Sequence, residues 1–343
     1  MNAGLLGRLL DRRGLTAREV RATFEALVDP GAEELDRAAL LIALTSRGHR
    51  PAELVAFARE MRRRAVPFPV PPGDAPVDLC GSGGAEHPSF NVSTVSAFVV
   101  RAAGVRVVKH GNRSRRVCGS SDLLDALGLP VLTSEPFARA SYRKLGIAFL
   151  HAPLFHPAMR ALANVRRQLG VPTIFNRLGP LSNPARVRCQ VTGVADLDTA
   201  RTSPAVLRAL GVARGIAMTS DDGCDEFSPR ERTTAYVWSS PRTRVVRIRP
   251  SDHLPAEDRR GPWGPLPPAD AADETDRILA GGGGARRGSV LLTSGAALWI
   301  SGSSSDLAAG VSKARDALDG GAAEKLLEQL RALAAQYPRS RET

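Results

Sequence analysis

Lysine is almost missing from this chain. Lysine and arginine together number 47, and only Lys109, Lys144, Lys313 and Lys325 are lysine, which leaves 43 arginines. With so much Ala and Gly, that imbalance reads as a coding bias rather than an adaptation to nucleic acid. The arginines are scattered apart from Arg62, Arg63 and Arg64, and form no basic stripe. Nucleic acid is therefore not the expected partner. The net charge of +12 would still draw small phosphate-bearing substrates. Long apolar runs are also absent. The nearest, Val95 to Val108, is broken by Arg101 and Arg106, so no membrane span is expected. The opening MNAGLLGRLLDRRG is amphipathic and lacks the unbroken apolar core and small-residue cleavage site of a signal peptide. The four cysteines, Cys80, Cys118, Cys189 and Cys224, form no Cys-x-x-Cys pair and no zinc spacing with histidine. They read as reduced thiols of a cytoplasmic protein.

The 343 residues are enough for a large core and two domains. Residues 1–66 read as helices only, and a later segment is expected to complete that domain. Thr16-Ala17-Arg18-Glu19 is a capping-box pattern. Pro51 suits a first helical turn, followed by Leu54, Val55, Phe57, Ala58 and Met61 at helical spacing. Pro67 to Gly73 reads as a stiff linker. From 74 to 340 strand-like and helix-like runs alternate. Strands are expected at Val77–Cys80, Val105–Val108, Gln190–Val194, Gly215–Met218, Thr233–Trp238 and Thr243–Ile248. Helices are expected at Ser93–Ala103, Ser121–Leu127, Pro157–Leu169, Ser289–Ile300, Asp306–Leu318 and Ala322–Ala334. Pro250 to Gly288 reads as an irregular loop region. Such alternation predicts an α/β domain with helices on a central sheet, preceded by a small all-helical domain.

Two stretches carry the chemistry. Asp78 to Thr94, DLCGSGGAEHPSFNVST, puts glycines after an apolar strand and Asn91-Val92-Ser93-Thr94 at a helix start. It is not a dinucleotide fingerprint, because Glu86 stands where the third glycine belongs, and no Gly-Lys-Ser/Thr follows. Bared N–H groups beside a helix N-terminus still make a phosphate site. Val107 to Arg116, VVKHGNRSRR, is a second loop of this kind, with Lys109 to neutralise phosphate and Asn112 to orient an acceptor. His110 offers either an acid/base group or a packing and hydrogen-bonding ring. Two loops point to a ligand with more than one phosphate. Adjacent Asp225-Glu226 beside Gly223 are hard oxygen ligands for Mg²⁺, and are also what a solvated turn contains. Arg166, after His156-Pro157-Ala158-Met159, could hold a carboxylate bidentately, although helical arginines normally face water.

Taken together, GSGG…FNVST, KHGNR, HPAM…NVRRQLG, TIFNRLGPLSNP and GCDEFS, in this order and over nearly the whole length, make the chain resemble the anthranilate phosphoribosyltransferase family of tryptophan biosynthesis. The resemblance implies a helical domain plus an α/β domain of the nucleoside phosphorylase/phosphoribosyltransferase type, and a homodimer formed through the helical part. It implies Mg²⁺-dependent transfer of phosphoribose from 5-phosphoribosyl-1-diphosphate (PRPP) to the amine of anthranilate, with release of diphosphate. On that resemblance Gly81, Gly84, Ser89, Asn91, Val92, Ser93, Thr94, Lys109 and Gly111 bind PRPP. Ser93, Asp225 and Glu226 serve the metal. Gly81, His110, Asn112, Arg166 and Pro180 line the anthranilate site, with Lys109, Asn112 and Arg166 central to catalysis.

The chain departs from the family pattern at three places. Ala85 stands where Asp is usual, Arg115 and Arg116 replace small hydroxyl residues in a loop one residue shorter, and Thr293 replaces Asn. These raise a second reading, a paralogue that phosphoribosylates another aromatic acid in secondary metabolism. A third is an inactive relative that binds nucleic acid through its arginines. The retained Lys109, Asn112, Arg166, Asp225 and Glu226 argue against the third.

Overall fold

The computed structural model describes residues 3–82, 89–114 and 117–337. Four helices come first: α1 (Ala3–Leu10), α2 (Ala17–Val28), α3 (Glu34–Arg47) and α4 (Pro51–Arg63). Thr16 and Glu19 form the expected capping box, the Thr16 amide donating to Glu19 Oε2 at 2.8 Å and the Glu19 amide to Thr16 Oγ1 at 3.3 Å. Pro51 occupies the first turn of α4, where its missing N–H costs nothing. The following segment contains β1 (Val77–Gly81), α5 (Val92–Ala102), β2 (Val107–Gly111), α6 (Ser120–Ala126), α7 (Glu135–Leu145) and β3 (Ile147–His151). Short helices α8 (Ala152–Phe155), α9 (Ala163–Leu169) and α10 (Ile174–Leu178) lead to β4 (Cys189–Gly193), α11 (Leu197–Ala209) and β5 (Arg214–Ser220). A hairpin of β6 (Thr233–Ser239) and β7 (Arg242–Ile248) precedes α12 (Pro268–Leu279), α13 (Ala285–Ser301), α14 (Leu307–Asp319) and α15 (Ala322–Ala334).

The strands form one seven-stranded sheet in the order β3-β2-β1-β4-β5-β6-β7. The first five run parallel, and β6 and β7 are antiparallel. Strands β1 to β4 are buried along nearly their whole length, with apolar residues interrupted by Asp78, Lys109, Gln190 and Thr192. Successive side chains serve different layers. Val107 joins the core beneath α5 and α13, while its neighbour Val108 packs with Phe68, Tyr142 and Phe155. The exposed edge strand β7 carries Arg242, Arg244 and Arg247, charges that discourage pairing with another chain. The opening helices share a separate apolar cluster with Leu162, Val165, Ile174, Phe175 and Leu178, which reaches Ala217 and Trp238 of the sheet. The four helices are thus packed against the α9–α10 segment.

Three expectations are corrected. Nothing was expected between Leu127 and Pro157, yet α7 and β3 lie there. Only Gly146, at φ 73°, separates them, so the IAFLH run reads as an extension of the helix before it. The region 250–288 is not irregular throughout, because α12 buries Ala271, Ala272, Ile278 and Leu279. Its Pro268 is a helix start, not a breaker. Residues 157–169 are not one helix but a 3₁₀ segment, Pro157–Leu162, followed by α9.

Candidate active site

The sheet order reverses beside β1, with β2 and β3 on one side and β4 and β5 on the other. In open α/β sheets, ligands bind in the crevice at the carboxyl ends of the strands flanking such a reversal. Here those ends are Gly81 and Gly193, which are register partners. The loop after β5 lies directly on them. A Cβ at Gly193 would sit 1.6 Å from the Asp225 carbonyl oxygen, and one at Gly81 would sit 2.9 Å from Asp225 Oδ2. Glycine is required at Gly193 by that backbone approach. The loop is hung from Ser220, whose hydroxyl donates to the Glu226 carbonyl at 2.7 Å and accepts from the Ser228 amide at 3.1 Å. Ser289 Oγ donates to the Phe227 carbonyl at 2.6 Å, which ties the loop to α13.

Several residues expected to serve donor and metal converge here. Ser82 Oγ donates to Asp225 Oδ2 at 3.3 Å. The Ser93 amide, in the first turn of α5, donates to Glu226 Oε1 at 3.3 Å. Lys109 is only 3% exposed, at the middle of β2. A cation so placed needs partners, and its Nζ donates to Ser93 Oγ at 3.1 Å and to the Leu79 carbonyl. Asp225 and Glu226 are both buried. Burial and then the Asp225 charge push the Glu226 carboxyl up to about 8. Two adjacent buried carboxylates are a hard-oxygen donor set that fits Mg²⁺. Among the described residues there is no group of three or more His, Cys, Asp or Glu that could hold a metal. Remaining ligands would come from Ser93, water or substrate oxygens.

The other donor-side residues line the same strand-to-helix turns. Val92 and Thr94 are buried within α5, and Asn91 Nδ2 donates to the Cys118 carbonyl at 3.1 Å, linking the two loops. Ser89 is half-buried just ahead of that helix, and Gly111 ends β2 against Ser120. Gly84, Ala85, Arg115 and Arg116 lie outside the described residues. Thr293 is buried in α13 with no hydrogen-bond partner for its hydroxyl among the described residues.

The residues expected on the acceptor side lie in β2 and its loop, in the turn at Pro180 and on α9. Asn112 is exposed at the end of the β2 loop. Its carbonyl accepts from the Ser121 amide at 3.2 Å, and its Oδ1 accepts from the Arg113 amide at 2.8 Å. His110 is buried, and burial followed by the nearby His156 ring lowers its pKa to about 3. With that shift the ring is neutral at physiological pH, so it is not a proton-donating cation. The rings of His110 and His156 lie 5.0 Å apart, edge to face. Pro180 is buried in a 3₁₀ turn, Gly179–Leu181. Arg166, half-buried on α9, stands 5.5 Å over the Phe175 ring with Nη2 3.5 Å from Asn176 Oδ1.

Two supporting residues were missed from sequence. Asp78 is 1% exposed in β1, and burial pushes its carboxyl up to about 6. Asn183 Nδ2 donates to Asp78 Oδ2 at 2.9 Å and to the Val108 carbonyl at 2.8 Å. The pair ties β1 and β2 to the segment after Pro180. The available signal was an acid inside a buried apolar run, and an asparagine within an already conspicuous GPLSNP stretch.

Known proteins match this architecture along its length. A family model described as glycosyl transferase family, a/b domain, matches residues 73–324, and one described as glycosyl transferase family, helical bundle domain, matches residues 3–65. The anthranilate phosphoribosyltransferase of Desulfosudis oleivorans is 38% identical over 331 residues, 95% of this chain and 96% of that protein. Anthranilate phosphoribosyltransferase 2 of Streptomyces coelicolor is 39% identical over 319 residues, 93% of this chain and 95% of its own length. The crystal structure of anthranilate phosphoribosyltransferase from Thermus thermophilus superposes with a TM-score of 0.86 at 34% identity, covering 96% of this chain and 99% of the other. The Saccharomyces cerevisiae enzyme, solved in complex with PRPP and Mg, shares the fold at a TM-score of 0.84 and 21% identity, over 98% and 99% of the two chains. With its strand-end crevice, buried carboxylate pair and helical bundle, the chain belongs to the anthranilate phosphoribosyltransferase family.

Proposed function

We propose that the chain transfers the phosphoribosyl group of PRPP to the amine of anthranilate, with Mg²⁺ as cofactor. The observation that carries this reading is the crevice over Gly81 and Gly193, where Lys109, the start of α5 and the buried Asp225–Glu226 pair meet. The amine nitrogen forms a bond to C1′ as the C1′–oxygen bond breaks. Diphosphate leaves with the electron pair, and the amine gives up a proton to water. Mg²⁺, held by Asp225, Glu226 and Ser93, would supply charge stabilisation of the leaving group. Lys109 and the amides at the start of α5 offer positive charge and donors to phosphate oxygens as that charge develops. The aromatic amine is neutral at pH 7, so the acceptor residues have mainly to place it. In this reading Arg166 takes the carboxylate, Asn112 orients the acceptor, and His110 and Pro180 wall its approach.

Residues 1–66, completed by the segment around α9 and α10, and residues 74–340 are the two domains of this proposal. A cytoplasmic homodimer formed through the opening helices is its assembly, supported by Leu10, Leu35 and Ile42, which stand exposed on α1 and α3. Incubating the protein with PRPP, Mg²⁺ and anthranilate and following loss of anthranilate fluorescence tests the activity. Consumption that requires both PRPP and Mg²⁺ is expected. No diphosphate from PRPP with anthranilate or any other aminobenzoate or hydroxybenzoate would sink it.

A further inference from the structure

The turn that carries Pro180 is gripped from two sides by buried side chains the proposed reaction does not use. From β4, Gln190 is fully buried and its Nε2 donates to the Pro180 carbonyl at 2.8 Å. From α4, among the opening helices, Arg62 Nε donates to the next carbonyl, Leu181, at 2.7 Å. Arg62 Nη1 donates to the Leu210 carbonyl just past α11, at 2.8 Å. Ser182 closes the turn on itself, its hydroxyl donating to the Leu178 carbonyl at 2.6 Å and lying 3.4 Å from Met61 Sδ. Pro180 and Leu181, successive residues of one turn, are thus each held by a buried polar side chain from another element.

Arg62 is an expensive way to make such a contact. Its side chain is 9% exposed, its Nη2 has no hydrogen-bond partner among the described residues, and no carboxylate within ion-pair distance accompanies it there. Burying a cation on main-chain carbonyls alone costs desolvation that an apolar residue of similar size avoids. Gln190 divides its buried amide between this turn, Thr192 Oγ1 at 2.8 Å and Cys80 Sγ at 3.2 Å, and its Oε1 has no partner among the described residues. What the two side chains share is this turn, where each donates to one of two consecutive carbonyls.

We propose that Arg62 and Gln190 are positioning residues for the acceptor: by clamping the Pro180 and Leu181 carbonyls they set where the 179–182 turn stands against the aromatic ring. This rests on the functional reading above. It makes the helical part of the chain a working component of the acceptor site rather than only a packing surface.

The test uses the full-length protein and steady-state kinetics with PRPP, Mg²⁺ and anthranilate on Arg62→Met, Gln190→Leu, Arg62→Lys and the Arg62→Met/Gln190→Leu double variant. The single changes to Met and Leu should each raise the anthranilate KM by about tenfold, the scale of a lost buried hydrogen bond, while the PRPP KM moves less than about twofold. Arg62→Lys, which can still reach one carbonyl, should recover part of the loss. Because both side chains act on one turn, the double variant should cost less than the product of the two singles. If Arg62→Met does not fold, Arg62→Lys and Gln190→Leu carry the same comparison. Variants whose anthranilate KM is unchanged, or whose anthranilate and PRPP KM rise together, would overturn the proposal while leaving the functional reading in place. A wild-type protein that releases no diphosphate overturns both.

Discussion

The proposed donor flank and the proposed acceptor flank of one crevice are built on different plans. On the donor flank the groups that do the chemistry also hold the architecture. Lys109 is both a cation for phosphate in the proposal and a strut from β2 to Ser93 and the Leu79 carbonyl. Glu226 is both a metal ligand in the proposal and an acceptor for the Ser93 amide. On the acceptor flank the two jobs are separated. Pro180 and Arg166 face the ligand in the proposal, while Arg62 and Gln190 behind them fix the wall. A flank that combines both jobs is fragile to any change. A flank that separates them can be retuned from behind.

The largest effect should come from the donor flank. Lys109→Met removes a charge-stabilising group from a dry site, and should lower kcat/KM for PRPP by roughly 10²–10³-fold. The acceptor KM should stay within about threefold. An equal loss on both substrates would mean that Lys109 acts through general collapse of the crevice, and the contrast between the flanks would fail.

Arg166→Ala is the matching change on the acceptor flank. Losing a charge-assisted contact should cost roughly 1.5–3 kcal/mol, about ten- to a hundredfold in kcat/KM for anthranilate. PRPP binding, followed by isothermal titration, should be nearly intact. Unchanged acceptor kinetics would remove Arg166 from the site.

Ser220→Ala asks whether the donor flank also has support from behind. The hydroxyl holds the Glu226 carbonyl and the Ser228 amide, and touches no proposed ligand. The Mg²⁺ concentration for half-maximal activity should rise about tenfold, the scale of a lost support behind a metal ligand. Rescue by excess Mg²⁺ should be complete. A loss that Mg²⁺ does not rescue would assign the loop a purely structural part.

The smallest effect is on stability. Burial above all holds His49, His151 and His156 to a pKa of about 4 and His110 to about 3. Between about pH 4 and 6.5 the unfolded chain therefore binds more protons than the folded one, and these groups make stability rise with pH. Asp78, raised to about 6, and Glu226, raised to about 8, work in the opposite direction over overlapping windows. Four histidines outweigh two carboxyls up to about pH 7, and above it Glu226, joined nearer pH 9 by the buried cysteines, makes stability fall as pH rises. The Tm of the metal-free protein should peak at about pH 7 and fall on both sides. His156→Leu should make the acid limb shallower, and an unchanged limb would place that histidine outside the linkage.

Much of the fold was legible in the sequence because strand-like and helix-like runs alternate along it, as at Val77–Cys80 before a glycine turn and Thr233–Trp238 and Thr243–Ile248 around a short connection. The donor flank was legible for another reason. Lys109 in a buried strand, and an Asn-Val-Ser-Thr helix start after glycines, are costly in a core and cheap beside a phosphate. β3 was not legible, because a run of four apolar residues behind a helix carries no period of its own. The α12 helix was masked by its prolines, whose meaning depends on whether they fall at a helix start or inside one.

The sequence by itself determined the order of elements in outline, the class of ligand, and most of the side chains proposed to touch it, since each of these follows from residue type and local spacing. It also marked Asp225-Glu226 as an acidic turn, but not as a buried pair. Only the tertiary structure decided that, by laying the loop after β5 across Gly81 and Gly193 and removing water from both carboxyls. Only the tertiary structure decided that His110 is neutral, and that Arg62, 119 residues from Leu181 along the chain, holds the acceptor turn. Burial and long-range hydrogen bonds are properties of how elements pack, and no local pattern of residues carries them.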